Sequence, residues 1–416
     1  MRTLSILSGL ILTIALCMPV NAMAKDVDSV KELIEKYDSA RCKQCHEQIY
    51  KDWEKSLHYK ALIGPFNKTL GTLKDYLTQR DGELKKSKEV TKSIKEYMEP
   101  CFGCHIPQIQ DASEKAAREI ANAVLKEDWD IVEKLQVNCI VCHNKNAIVR
   151  RFRDGNPEAD TVYGTKDLGG VHGDKVFTKS KKNEMMADSA FCGGCHQGPN
   201  VLKSPEPIWC VSNYDSMLQN YIPNGGDKGC QDCHMRGEGM GHRFPPNYDD
   251  KEFEMKRLRE HIKLDVKTLA YTFQIKNPNL VSMPMIVINT KVTHDIGHRF
   301  PDGCPSPTHF ALNVTVKSKD GKEIFSDAKY YMPQLKLGYT ENKMVFASFR
   351  KLSLMRDTAL QPFKAKEETF EVKLPPGVGE ATVEVSLNFV VEPGVKESVY
   401  ELYKFTREVS IKGTEN

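Results

Sequence analysis

The feature of the sequence with the clearest chemistry is a five-residue motif, C-x-x-C-H, that occurs five times. Its cysteine pairs are Cys42 and Cys45, Cys101 and Cys104, Cys139 and Cys142, Cys192 and Cys195, and Cys230 and Cys233, and its histidines are His46, His105, His143, His196 and His234. Two thiols about one helical turn apart can each add to a vinyl group of a porphyrin, and the next histidine then lies under the iron as an axial ligand. Composition alone predicts only about 0.01 chance matches. The motifs therefore predict five covalently bound haem c groups.

Two other kinds of site use C-x-x-C pairs, namely zinc sites and thioredoxin-like redox pairs. A zinc site would combine two C-x-x-C units, and neither kind of site requires a histidine after every second cysteine. The regular histidine therefore favours haem.

The remaining histidines are candidates for the second axial ligand of each haem iron. They are His58, His172, His242, His261, His294, His298 and His309. A lone histidine is usually a surface or hydrogen-bonded core residue, but five haems ligated on both sides need five more ligands. The candidates therefore have to be judged by their sequence context.

His242 and His298 lie in identical pentapeptides, G-H-R-F-P. The glycine permits close backbone approach, the arginine can pair with a haem propionate, and the phenylalanine can pack on the porphyrin. His172 lies in the flexible run G-G-V-H-G. A continuous helix would place His58 about 18 Å along the axis from His46, so His58 is expected to serve a different haem.

The sequence around these residues resembles a known superfamily. The run that contains His46, Tyr50, Trp53, Ser56, His58 and Ala61 resembles the opening motif of multihaem cytochromes related to hydroxylamine oxidoreductase and its tetrahaem partner cytochrome. C-Q-D-C-H-M followed by H-R-F-P, and G-H-R-F-P-D-G before a strand, are similar to the end of such cytochromes that carry a β-domain.

The resemblance covers about residues 40–320 and implies distal-ligand roles for His58, His242 and His298. His294 falls where relatives tend to have asparagine, which argues against ligation there. His261 and His309 remain alternatives for the fifth distal ligand. Relatives include both electron carriers and enzymes, so the resemblance does not select one activity.

The N-terminus predicts export. Arg2 precedes an apolar run and the sequence A-M-A, which is typical of a secretory signal peptide cleaved before Lys25. Cys17 lies inside this signal after a large residue, which disfavours a lipid anchor. Outside the signal and the motifs only Cys210 and Cys304 remain, and an oxidising compartment would permit a disulfide between them.

Charge excludes a simple nucleic-acid binder. The formal net charge is +3, and the lysines and arginines are interleaved with acidic residues. Five ferric haems with their propionates would make the mature protein negative. We expect no nucleic-acid partner and no transmembrane segment in the mature chain.

Periodicity predicts an α+β chain. Charged and amphipathic segments before residue 262 favour short helices with irregular connections, whereas about seven β-rich segments after it favour an antiparallel β-sandwich. We therefore predict a signal peptide at 1–24, a pentahaem domain at 25–262 and a β-sandwich domain at 263–416.

Three functions fit these predictions. Histidines on both faces of closely spaced haems would make an electron-transfer protein that works between redox proteins, such as a membrane quinol oxidase and other cytochromes. One haem with an open face would instead make a reductase or oxidase of a small nitrogen or sulfur compound. A spare histidine that binds a haem of the next copy would make a filament subunit or another homo-oligomer. Each function fits a periplasmic or extracellular location.

Overall fold

A computed structural model describes residues 26–86, 93–147, 157–198, 211–237, 240–273, 283–302, 307–336, 344–345 and 353–411. The predicted signal peptide and the predicted Cys210–Cys304 disulfide lie outside these residues. The helices are α1 (Val30–Lys36), α2 (Ala40–Lys43), α3 (Glu47–Glu54), α4 (Lys68–Lys86), α5 (Ile94–His105), α6 (Glu114–Lys126), α7 (Trp129–Val132), α8 (Ser189–His196), α9 (Asn213–Ser216), α10 (Cys230–His234) and α11 (Lys251–His261). The strands are β1 (Thr161–Gly164), β2 (Lys179–Lys182), β3 (Ile262–Phe273), β4 (Met283–His294), β5 (His309–Ser318), β6 (Glu323–Tyr331), β7 (Pro333–Lys336), β8 (Met344–Val345), β9 (Ser353–Asp357), β10 (Lys366–Lys373), β11 (Glu380–Val390) and β12 (Val399–Ser410).

Serine caps define where several of the helices begin. Ser29 accepts a hydrogen bond from the backbone of α1, and Ser93 forms a reciprocal capping box with Glu96 at the start of α5. Ser113 caps α6 by accepting from Ala116 N. Asp111, two residues before this cap, instead accepts hydrogen bonds from side chains of other segments.

Apolar faces of these helices form one core. Fully buried positions include Leu33 in α1, Met98 and Phe102 in α5, and Ile120 and Val124 in α6. Phe102 lies inside the second C-x-x-C-H motif, so this core directly supports the motif. Helix α6 ends at Glu127, which caps it in a left-handed conformation, and α7 follows as a separate turn.

The C-terminal half is an antiparallel β-sandwich, as predicted. One sheet has the order β10-β4-β3 and the other has the order β12-β11-β5-β6, while β8-β7-β9 forms a smaller sheet. Alternate residues point inward, so that Ile288 of β4 lies opposite Phe370 of β10, and Val314 of β5 opposite Val385 of β11. These side chains belong to one buried cluster, as expected for two sheets packed face to face.

The α+β class is therefore confirmed, with α1–α11 before residue 262 and all strands except β1 and β2 from residue 262 onward. The strands β1, β2, β6, β7 and β9 were not predicted. In β6 most residues are only partly buried, which leaves little alternation of apolar and polar positions to detect.

The two halves are joined by hydrogen bonds. Lys68 Nζ at the start of α4 donates to Thr308 Oγ1 at 2.7 Å and to the Val391 carbonyl at 3.0 Å. Ser212 donates to Asp302 from its backbone and its hydroxyl at 2.8 and 3.0 Å. In the described part of the chain, no helix has the length and apolarity to span a bilayer.

Candidate haem centres

Each C-x-x-C-H motif lies on a short helical turn. The first begins in α2, the second ends α5, the fourth ends α8 and the fifth forms α10. The third leads into a π-helical turn at Val141–Lys145. Helical geometry places the two thiols of each motif one turn apart and the histidine directly after them, as covalent attachment to a porphyrin requires.

Four motif histidines lie opposite a second histidine. The ring centres are 6.4 Å apart for His46 and His172, 6.2 Å for His143 and His242, 6.1 Å for His196 and His58, and 6.4 Å for His234 and His298. These four second histidines are the distal candidates that the sequence favoured. Which motif each would serve could not be predicted from the sequence.

These separations fit an iron atom between the rings. Two opposed imidazoles on one iron would have centres about 6 Å apart, because a metal–nitrogen bond is about 2 Å long and each nitrogen lies about 1 Å from its ring centre. Three pairs are within 26° of parallel, while His58 and His196 are 75° apart. Rotation about the iron–nitrogen axis accommodates either angle.

Backbone carbonyls fix the orientation of several of these rings. Nδ1 of His143 donates to Tyr163 O at 2.7 Å, and Nδ1 of His172 donates to Phe177 O at 2.8 Å. Nδ1 of His234 donates to Pro245 O at 2.6 Å. His298 Nδ1 donates to Arg299 O at 2.8 Å. Because Nδ1 carries the proton in each case, Nε2 keeps a lone pair for a metal.

Burial keeps three of the rings, those of His58, His234 and His242, neutral, which is the state that binds a metal. Burial, together with the neighbouring His196, His234 and His242, lowers the pKa of His58 to about 3. Burial likewise lowers the pKa of His234 and of His242 to about 4. These rings are thus available as ligands at physiological pH.

The four pairs form a continuous series. His143 lies close enough to His46 and His172 for their charges to disfavour its protonation, after the larger effect of burial lowers its pKa. His58 has the same relationship to His234 and His242. The side chains of Cys42 and Cys139 lie close together, as do those of Cys192 and Cys230. The first motif therefore lies beside the third, and the fourth motif lies beside the fifth.

His105 differs from the other motif histidines. Its Nδ1 donates to Ala61 O at 2.6 Å, which leaves Nε2 for a metal. All twelve histidines lie within the described residues, and none of them is opposite His105. His261 instead pairs with Asp295 at 2.7 Å, and His309 packs edge-on against Tyr330. The structure does not bring either of these two candidates to the second motif.

The two G-H-R-F-P pentapeptides have different surroundings. Phe244 lies in a left-handed conformation with its ring 4.8 Å from His58, whereas Phe300 packs 5.1 Å from Phe389 in the sandwich core. Arg243 pairs with Asp250 at 2.7 Å. The two pentapeptides therefore share only the position of their histidines, each of which lies opposite a motif histidine.

Arg299, the arginine of the second pentapeptide, pairs with Asp302 at 2.7 Å and Asp357 at 2.5 Å. The phenylalanine and arginine of this pentapeptide therefore bind protein groups. Among the described residues no three histidine, cysteine or carboxylate side chains converge on one point, as a tetrahedral zinc site would require.

Comparison with known proteins agrees with this geometry. Residues 41–144 match the family described as cytochrome c554 and c-prime. The fold is similar to that of a penta-haem cytochrome c552 from Thermochromatium tepidum, at 19% identity and a TM-score of 0.57 over 90% of this chain and 100% of that chain. The C-terminal domain of Wzt aligns with 37% of this chain and 74% of its own length, at 8% identity, but its TM-score of 0.21 is too low to indicate a shared fold. No curated protein matches the sequence significantly.

The family match covers the first three motifs, and the structural similarity extends over both halves of the chain. The motifs, the family match and the shared fold together support a multihaem c-type cytochrome that binds haem c covalently and transfers electrons.

Proposed function

We propose that this chain is an exported pentahaem cytochrome that conducts electrons between redox proteins along closely spaced haems, four of which are ligated by histidine on both faces. The observation that carries the proposal is the set of four histidine pairs with ring centres 6.1–6.4 Å apart. When bound, haem c supplies one-electron transfer.

The chain's own residues would hold and orient the haems. The ten motif cysteines would attach the haems, and the motif histidines would be the proximal ligands. His172, His58, His242 and His298 would be the distal ligands of the haems held by His46, His196, His143 and His234. Ligation by two histidines fills the iron's coordination and, in the absence of methionine, favours low potentials.

We further propose that residues 25–262 form the haem domain and residues 263–416 the β-domain. Membrane quinol oxidases and other cytochromes are the proposed partners, in the periplasm or at the cell surface. The closeness of the first motif to the third, and of the fourth to the fifth, supports rapid internal electron transfer, because it places haem attachment points near one another.

Intact-mass analysis and low-temperature EPR of the oxidised protein test the proposal together. We expect a mature chain from Lys25 with five haem masses and at least four low-spin haems. A different haem count, or several high-spin haems, would contradict it.

His105 supports a second candidate function, a reductase or oxidase of a small nitrogen or sulfur compound. The described residues contain every histidine of the chain, and none faces His105. A haem without a histidine on its distal face is the feature that this activity would need. One high-spin EPR signal, with rapid turnover of hydroxylamine, nitrite or tetrathionate, would favour the enzyme, whereas five low-spin signals would exclude an open haem.

A further inference from the structure

Gln231 is a buried polar residue between the two cysteines of the fifth motif, and it takes no part in the proposed attachment or ligation of haem. Its Nε2 donates to Asp188 O at 2.8 Å and to Met186 O at 3.1 Å. Both carbonyls belong to the segment that leads into α8, the helix of the fourth motif. The amide therefore holds the two segments together, because their separation would leave buried polar groups without partners.

The first residue of α8 makes a second connection to the fifth motif. Ser189 Oγ accepts from Cys230 N at 3.0 Å, and Cys230 Sγ lies 4.0 Å from Ser189 O. Cys230 is a proposed haem attachment point, and so is Cys192, which lies one helical turn after Ser189 in α8. These contacts therefore fix the attachment point of one haem relative to that of another.

A buried amide also connects the third motif to the first. Asn138 directly precedes Cys139, and its Nδ2 donates to Tyr37 O at 2.7 Å. Its Oδ1 accepts from Val141 N at 3.1 Å and so caps the helical turn of the third motif. Tyr37 lies shortly before Cys42, the first cysteine of the first motif. One side chain therefore contacts both motifs.

Trp53, which follows the first motif in α3, strengthens this connection. Its Nε1 donates to Val137 O at 3.0 Å, so residues on both sides of the first motif bind the two residues directly before the third. Local capping explains the Oδ1 bond of Asn138 but not its Nδ2 bond, and both Nε2 bonds of Gln231 leave its own helix. Two couples of motifs thus share one kind of contact, a buried amide side chain that donates to a backbone carbonyl.

We propose that Gln231, together with Ser189, and Asn138 are positioning residues that set the separation of the haems within two couples, the fourth with the fifth and the first with the third. The inference rests on the proposed function, because it requires haem at these motifs. Electron transfer and magnetic interaction between two haems both weaken as their separation increases. A shift of one motif would therefore change one couple and leave the other haems as they are.

The test compares the variants Q231M and Q44M by EPR of the oxidised protein. Methionine is similar to glutamine in length but cannot donate to a carbonyl. We expect Q231M to weaken the magnetic interaction of one couple, so that the signals of two haems narrow and those of the other three keep their widths. Gln44 is a matched control, because it also lies between two motif cysteines but is exposed. Q44M should leave all five haems unchanged.

The variant N138S separates positioning from capping. Serine keeps an oxygen that can cap the third motif, but its side chain is too short to reach Tyr37 O. We expect N138S to narrow the signals of two haems other than those that respond to Q231M. In a redox titration, each variant should also decrease by about twofold the factor by which reduction of one haem of its couple disfavours reduction of the other.

Intact mass separates the two possible failures. A wild-type chain that lacks five haems would contradict the proposed function itself. Five-haem Q231M and N138S proteins with wild-type line widths would overturn only the positioning role. Narrowing that extends to all five haems would also overturn it, because it would show general loosening of the fold.

If Q231M does not accumulate, S189A is compared with S189T, which keeps the hydroxyl that binds Cys230 N. Narrowed signals of two haems in S189A, with wild-type widths in S189T, support the positioning role. A five-haem S189A protein with the wild-type spectrum overturns that role for the fourth and fifth motifs.

Discussion

The rings of His234 and His298 lie 6.4 Å apart and only 11° from parallel, although the two residues belong to different halves of the chain. His234 ends α10, and His298 follows strand β4. If the pair binds one iron, as we propose, an iron–imidazole bond links the β-sandwich to the helical half. Folding and relative placing of the two halves would then depend on haem loading.

Replacement of His298 by alanine tests this link. We expect H298A to convert one haem to a high-spin form that takes up added imidazole, because the haem at the fifth motif would lose its proposed distal ligand. We also expect faster proteolytic separation of the two halves. EPR and limited proteolysis measure the two effects.

H309A is the matched control, because His309 is also in the β-sandwich half but lies against Tyr330. It should leave the spin states and the proteolysis pattern unchanged. Five unaltered haems in H298A would show that the halves are joined only by other contacts, such as the Ser212–Asp302 hydrogen bonds.

The two glycines of the fourth motif should respond differently to alanine. A Cβ on Gly193 would lie 2.7 Å from Cγ of Tyr214, whereas a Cβ on Gly194 meets nothing within 4 Å. We expect G193A to decrease the free energy of unfolding by about 1–3 kcal/mol, because overpacking forces the Tyr214 ring to move. G194A should be neutral or slightly stabilising, since alanine favours a helix. Thermal unfolding of both variants, at equal haem content, makes the comparison, and equal stability would show that Tyr214 adapts without cost.

The sequence selected histidines that lie opposite motif histidines, but it did not indicate which histidines form each pair. The repeated spacing in the motifs and the context of His58, His172, His242 and His298 were sufficient to select residues that lie opposite motif histidines. The pairing of His58 with His196 depends on how distant segments fold together, which no local spacing encodes. The chain from His46 to His58 is not one continuous helix, because α3 ends at Glu54.

Interactions made by backbone atoms could not be predicted from the sequence. The carbonyls of Tyr163, Phe177 and Pro245 orient histidine rings, yet any residue type supplies a carbonyl. The strands after residue 262 were more predictable because their apolar residues alternate.

Asp111 should make a pH-dependent contribution to stability. Burial disfavours its charge, but hydrogen bonds from Lys145, Lys36 and Tyr37 outweigh burial and lower its pKa to about 2 from an ordinary 3.8. The folded state therefore binds this proton less readily than the unfolded state. The contribution, about 2 kcal/mol, should be complete above pH 4 and lost as pH falls toward 2.

We expect D111N to remove most of this contribution at neutral pH and to flatten the acid limb of the stability profile. D160N is a suitable control, because Asp160 forms an exposed pair with Lys179. Chemical denaturation from neutral to acidic pH measures both variants. An equal loss in D111N and D160N would show that the Asp111 network contributes no more than a surface pair.

Lys68 should also make the free energy of unfolding rise with pH, but in the alkaline range. Burial lowers its pKa to about 8 from an ordinary 10.5, although the Glu392 carboxylate at 3.9 Å favours the charged form. Between these values the unfolded state binds more protons than the folded state, so the free energy of unfolding should rise with pH, by about 3 kcal/mol in total.

K68M should remove this rise because methionine has no proton to lose, and it also removes the hydrogen bonds to Thr308 and Val391 that join the two halves. K74M, in the same helix, replaces a lysine that pairs with Glu127 near the surface and should keep the wild-type slope. Denaturation at a series of pH values from 7.5 to 10.5 compares the three proteins, and a K68M slope equal to that of K74M would show that Lys68 does not release its proton early in the folded state.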